Sequence, residues 1–428
     1  MGLPSEPLAE RTRSLVTGAC SPSEYTAVLE ERWEVHESTI RSFVPPAPAW
    51  SEITETMAAR LEAKRPPALA GIPVGIKDII HVDGFETRAG SALPPAAITD
   101  RQAAVVTTLE DAGAVILGKT ATTEGAYFDP APTRNPHDPS RTPGGSSSGS
   151  AAAVAAGLCP LSIGTQTVGS VIRPAAFCGV VGVKPSTGRI PMDGVLPLAP
   201  SADHLGLFTQ DVSGARIAAG SLCQDWRSGY RAGSQPTIGA VEGAYLAQAS
   251  KTGIRHFEEH ITTLEQAGFD VRRIDPFRDI TETNQHHDRL VAAEAALSHA
   301  ELFDQFSDRY GSELTDLIES GRQLSVHTLV ESRASMTELR RQLMAEDCLG
   351  ELDVLVSPAA PGPAPTGIGS TGDPIMNLPW THAGLPAITI PAGLTDDGLP
   401  LGLQCVGRMF EDEWLLDWAE DLEGVLAG

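Results

Sequence analysis

The sequence predicts an α/β protein: one domain, residues 1–428, built on a central mixed β-sheet flanked by helices. Three observations carry that expectation. Short apolar runs punctuated by glycine recur along the chain, as buried strands do; helical stretches alternate with them; and no linker of different composition divides the chain. The bulk composition agrees, since 428 residues with 41% hydrophobic and 20% charged side chains form an ordinary globular mix.

Taken in order, residues 1–65 read as polar helices that stop at Pro66-Pro67. Across residues 71–212 glycines recur, and GIPVGIKDII, AVILGKT and CGVVGVKP read as strands of a buried sheet. Residues 101–112 set Val106 and Leu109 on one helical face, with Gly113 as the stop. TIGAVEG, a polar helix closing near Gly268, and FDVRRID form a strand–helix–strand unit. Residues 280–350 almost lack Gly and Pro and read as long helices. GELDVLVSPAAPGPAP returns to a strand and a Pro-rich loop, and residues 388–391 and 401–406 read as the last strands. The final helix places Leu415, Trp418, Ala419, Leu422 and Val425 on one face.

Charge and cysteine usage narrow the function. Lys and Arg number 31 against 55 Asp and Glu, a formal net charge of −24, so neither nucleic acid nor an anionic membrane surface is an expected partner. No apolar run approaches the roughly 18 residues of a membrane span. The N-terminus lacks a basic start and apolar core, and Glu6 breaks the acylation pattern that Gly2 would open. The six cysteines form no CxxC pair, which argues against a disulfide framework or a zinc site and for a cytoplasmic protein with reduced thiols.

Three motifs mimic chemistry. GAVILGKT, residues 113–120, matches a phosphate loop, but a helix precedes it and AVIL is strand material, so Lys119 is expected to end a core strand. GSSSG would make Ser147 the nucleophile of an α/β-hydrolase elbow, yet the Pro-rich PTRNPHDPSRTPG before it cannot be the required strand. His286-His287 beside Asp288 are adjacent on a helix and poorly placed to chelate, so a solvated surface is expected there. The remaining signal is GGSSSGS, residues 144–150. A flexible linker would have this composition, but AAAVAAG follows at once and reads as a buried helix, which puts the hydroxyl loop at a helix N-terminus. A second such site follows: LCPLSIG as a strand, TQTVGS as a tight turn, VIRPAAF as a helix start. Ser170 then lies among free amides suited to an oxyanion.

Residues 66–212 resemble the amidase signature family of serine hydrolases. The matching stretches are GIPVGIKD, AGAVILGKT, RNPHDPSRTPGGSSSGSAAAVAAGLCPLSIGTQTVGS and RPAAFCGVVGVKPSTGRIPMDGVLPLAPSADHLG, and GDPIMNLPWTHAGLPAITIPAG is similar further on. The resemblance implies the amidase signature fold, with Lys77 as general base, Ser146 as bridging serine after a cis peptide bond, and Ser170 as nucleophile. A serine needs a base in reach, and a lysine accepts a proton only when neutral, so burial must lower the pKa of Lys77. The amides of Thr167, Val168, Gly169 and Ser170 would hold the oxyanion. Asp78 reads equally as a loop anchor. Two departures stand out: the family's Gly-Gly before the nucleophile is Val168-Gly169 here, and its KDN is Lys77-Asp78-Ile79.

The resemblance implies no metal and no cofactor, a small-molecule amide or carbamate substrate, and a homodimer as the plausible assembly. Arg173 either binds a substrate carboxylate, as in malonamidases, or serves the structure. Tyr127, Phe128, Met376 and Trp380 could line an apolar pocket suited to aryl amides or urethanes. The leading expectation is a free-standing amidase, with residues 280–350 shaping substrate choice. A glutaminase subunit of a tRNA-dependent amidotransferase and a non-catalytic binding protein are the alternatives.

Overall fold

The apolar runs assemble, in a computed structural model that describes residues 7–98 and 100–426, into one ten-stranded sheet. Gly2 and Glu6 lie outside the described residues. The strands are β1 (Pro73–Lys77), β2 (Val115–Thr120), β3 (Leu161–Gln166), β4 (Val181–Lys184), β5 (His204–Thr209), β6 (Thr237–Val241), β7 (Asp270–Ile274), β8 (Val354–Pro358), β9 (Ala387–Leu394) and β10 (Pro400–Val406). Their spatial order is β2-β1-β3-β5-β4-β9-β10-β8-β6-β7. The sheet is mixed: β1 runs parallel to β2 and β3, and β6 to β7 and β8, whereas the central pairs are antiparallel. β1, β3, β4 and β5 are buried along their whole length, which is why the first three read as continuous apolar runs rather than alternating ones; β5 does not read as a strand from the sequence. β7 is the exception. It closes one edge with Asp270, Arg272 and Arg273 turned to solvent, charges that discourage further strand pairing.

Helices cover the sheet. The helix Ser148–Ala155 is buried on every side, because its small residues let it press against the sheet without a polar face. The helix Ala104–Asp111 stops where Gly113 takes a φ of 88°, a left-handed conformation that glycine adopts freely. The last helix, Asp412–Leu426, buries Leu415, Trp418, Ala419 and Leu422, with Val425 packed at the rim. The long helices expected over residues 280–350 are present, chiefly Ile280–Ser298, Ser312–Arg322 and Val326–Leu343. They form a cluster of their own around Leu290, Leu314, Ile318 and Met336, which includes Leu198 and Ala199 from the loop before β5. One expectation fails here. His287 is fully buried rather than solvated, because the helix Ile280–Ser298 packs that face against the short helix Leu378–Ala383 and its His382.

Candidate active site

β1 and β3 are parallel neighbours, so their carboxyl ends open on the same side of the sheet, where α/β folds place their reactive groups. Lys77 is the last residue of β1 and Gln166 the last of β3. The turn that follows β3 carries Ser170 into the helix Ile172–Cys178. The serine loop approaches from beside them and enters the helix Ser148–Ala155.

The serines of that loop divide their work. Ser147 Oγ donates to the Thr165 carbonyl (3.1 Å) and accepts from the Thr165 amide (3.2 Å). Ser148 Oγ donates to Gly144 O (2.8 Å), and Ser150 Oγ to Ile163 O (3.0 Å). These bonds fasten the loop, through Ser147 and Ser150, to β3, and the commitment of Ser147 removes it as a hydrolase-elbow nucleophile. Ser146 differs. It follows a cis peptide bond at Gly145-Ser146, and its Oγ lies 2.7 Å from Lys77 Nζ. Lys77 Nζ also lies 2.7 Å from Thr165 Oγ1. The amine is wholly buried, and burial holds its pKa well below the ordinary lysine range, with the Asp203 carboxylate opposing. Asp203 is itself held by the Thr167 hydroxyl (2.6 Å) and the amides of Leu198 and Ala199.

Ser170 is 8% exposed, and among the described residues its hydroxyl has no hydrogen-bond partner. The turn around it is fixed by groups that no sequence motif marks. Gln166 Oε1 accepts from the amides of Val171 (2.8 Å) and Ile172 (3.0 Å), and its Nε2 donates to Thr381 Oγ1 (2.9 Å). Thr381 Oγ1 in turn donates to Val168 O (2.7 Å). The amides of residues 167–170 make no hydrogen bond within the described chain, so they remain free to receive an anionic oxygen. No local spacing could have announced Thr381, which lies 215 residues from Gln166.

Arg173 is buried to 2% exposure in the first turn of its helix. Its guanidinium donates to the carbonyls of Gly145 and Gly372, tying the serine loop to the segment 370–374, and its Nε has no partner. Burial lowers its pKa to about 9, opposed by Asp373. Asp78 anchors: its carboxylate lies 2.8 Å from Lys119 Nζ, which also donates to Thr87 Oγ1 (2.9 Å), with all three buried. Lys119 therefore sits near the end of β2 in a buried ion pair and is no phosphate ligand. Met376 and Trp380 belong to the core, and Tyr127 packs against the helical cluster. Phe128 lines an apolar cavity of about 560 Å³ shared with Phe177, Pro361, Pro365, Asp373 and Pro374. No group of three or more candidate metal ligands occurs among the described residues.

Comparison with known proteins bears on the fold and the family. The Amidase family model matches residues 24–416. The chain is 33% identical over 419 residues to a glutamyl-tRNA(Gln) amidotransferase subunit from Koribacter versatilis, covering 84% of this chain and 85% of that protein. It is 31% identical over 426 residues to the putative amidase AmiD of Mycobacterium tuberculosis, covering 90% and 88%. Among solved structures, a crystal structure of an amidase superposes with a TM-score of 0.88 at 30% identity, covering 98% of this chain and all (100%) of that one. The peptide amidase from Stenotrophomonas maltophilia gives 0.79 at 25% identity, over 99% and 97%.

Proposed function

Since this chain belongs to the Amidase family and is therefore a hydrolase of non-peptide carbon–nitrogen bonds, we propose that it acts as a free-standing amidase on small neutral amides or carbamates, through an acyl-enzyme on Ser170. The observation that carries the mechanism is the 2.7 Å contact between a fully buried Lys77 and Ser146 Oγ. A neutral amine has a lone pair to accept the Ser146 proton while Ser146 takes the proton of Ser170. Ser170 Oγ attacks the carbonyl carbon, and the amides of Thr167, Val168, Gly169 and Ser170 receive the oxyanion. The proton returns from Lys77 through Ser146 to the leaving nitrogen, the C–N bond breaks, and water repeats the sequence to free the acid.

Two features support a neutral substrate. The Arg173 guanidinium already serves two carbonyls, which favours its structural role over capture of a substrate carboxylate. The apolar cavity beside Phe128 reaches Pro374, which packs on Gly169 of the nucleophile turn, and would suit the aryl or alkyl part of an amide or urethane. A second reading, a glutaminase subunit working with partners, draws support from the 33% identical amidotransferase relative. The six cysteines stand unpaired, in keeping with a reducing, cytoplasmic setting, and no described helix is long and apolar enough to cross a membrane. A homodimer is the assembly we expect.

The test compares hydrolysis of malonamate-like anionic amides with neutral aryl amides and carbamates, by wild type and Ser170→Ala side by side. Preference for the neutral set, lost in the variant, is the expected outcome. Preference for the anionic set would return Arg173 to the substrate, ammonia release from glutamine only with added subunits would favour the second reading, and equal rates in variant and wild type would refute the mechanism.

A further inference from the structure

An oxyanion amide works only if it points at the right place, and a trans peptide unit offers a simple handle for aiming it. Its C=O and N–H are antiparallel, so a donor that holds the carbonyl outward turns the N–H of the next residue inward. The nucleophile turn has such handles on successive peptides, none of them a cis bond. Gly169 O accepts from the Arg173 amide (3.0 Å), which aims the amide of Ser170. Val168 O accepts from Thr381 Oγ1 (2.7 Å), which aims the amide of Gly169. The remaining peptide begins with Thr167 O and carries the amide of Val168. No hydrogen bond holds that carbonyl among the described residues, and the fully buried Nε2 of His287 is likewise unpartnered.

The other side of His287 is tightly held. Its Nδ1 lies 3.2 Å from His382 Nδ1, and His382 Nε2 lies 2.7 Å from Ser335 Oγ. Two facing Nδ1 atoms need one proton between them. Ser335 Oγ donates to Ser332 O (2.8 Å), so it accepts from His382 Nε2, and His287 Nδ1–H donates to His382 Nδ1. Burial keeps both rings neutral, with pKa values lowered to about 4 for His287 and about 2 for His382, so this tautomer chain persists at neutral pH. His382 follows Thr381 directly in the helix Leu378–Ala383, whereas His287 and Ser335 come from the helices Ile280–Ser298 and Val326–Leu343.

We infer that Thr381 is a positioning residue that aims the Gly169 amide at the oxyanion, and that the helical segment 280–350 acts on catalysis by holding the adjacent His382 through His287 and Ser335. The inference rests on the proposed role of Ser170 and its turn. The test uses the full chain and a serine-directed alkyl fluorophosphonate: Ser170 Oγ bonds phosphorus, fluoride leaves, and the phosphonyl oxygen takes the oxyanion position. Intact mass gives the covalent rate and, from its concentration dependence, the preceding affinity. Thr381→Val is expected to slow the covalent step about ten- to a hundredfold, below the loss for deleting a donor outright, with affinity unchanged, and Thr381→Ser to restore it. His287→Leu, which removes the partner of His382 Nδ1, is expected to slow the same step by less, again with affinity unchanged. A wild-type covalent rate in folded Thr381→Val, or a loss in affinity alone, would overturn the inference and leave the Ser170 mechanism standing. Absence of label on Ser170 in the wild type would instead remove that mechanism and the inference with it.

Discussion

Of the two residues before Ser170, the proposed nucleophile, the family's glycine pair survives only at position 169, and the structure gives a steric reason that can be tested. A Cβ built on Gly169 would lie 2.4 Å from Asn377 Oδ1 and 2.9 Å from Pro374 Cβ, where ordinary contact begins at 3.4 Å. Asn377 cannot step aside cheaply. It is wholly buried, its Nδ2 donates to Ala359 O (2.9 Å) and Gln404 Oε1 (2.9 Å), and its amide donates to Pro374 O (2.8 Å). In Gly169→Ala the nucleophile turn must therefore move by about 1 Å, a displacement able to cost about a hundredfold in rate. The overpacking itself costs about 1–3 kcal/mol, a fall of a few degrees in melting temperature for a chain of this size. Val168→Gly is the control, because Val168 is partly exposed and supplies only its backbone to the turn. Steady-state kinetics on the best neutral aryl amide, with thermal unfolding of the same preparations, should show kcat down about a hundredfold for Gly169→Ala and nearly unchanged for Val168→Gly. A folded Gly169→Ala enzyme with wild-type kcat would refute the argument that this turn is fixed by contact with Asn377.

Two further outcomes follow from buried charge. Because burial holds the pKa of Lys77 well below the usual lysine value and only the neutral amine accepts a proton, kcat/KM should rise with pH through that lowered pKa and then level off; Lys77→Arg, which keeps its charge, should be inactive across the range. Arg189 bridges buried Asp412 (3.3 Å) and Glu413 (2.9 Å), so Arg189→Leu should lower unfolding free energy by about 3–5 kcal/mol in denaturant titration, with Glu413→Gln in that background recovering part.

The sheet was legible where buried strands read as apolar runs, with β1, β2, β3 and β4 lying where GIPVGIKD, AVILGKT, LCPLSIG and CGVVGVKP place them; β5, equally buried, was missed because His204, Gly206 and Thr209 interrupt its apolar run. The roles of Lys77, Ser146 and Ser170 come from resemblance alone, since local physics does not choose among several serines; the structure sets Ser146 against Lys77. Ser147, Ser148 and Ser150 are each spent on backbone carbonyls. What stayed hidden is what depends on distant packing. His287 sits in a polar stretch and looks solvated until the helix Leu378–Ala383 covers it. Gln166, Asn377 and Thr381 are ordinary polar residues in sequence, and their importance arises only when segments 215 residues apart meet.

The seam between β4 and β9 joins the two halves of the sheet, with Gly182 opposite Thr389 and Val183 opposite Ile388. Every residue of β9 is made after the whole signature segment, and so is Thr381 just before it. During synthesis, then, the lysine and both serines leave the ribosome long before the group that steadies the turn around the nucleophile. A nascent or prematurely ended chain carries the Ser170 hydroxyl without the Thr381 contact to its turn. On the proposed mechanism, acylating power depends on completion of the polypeptide.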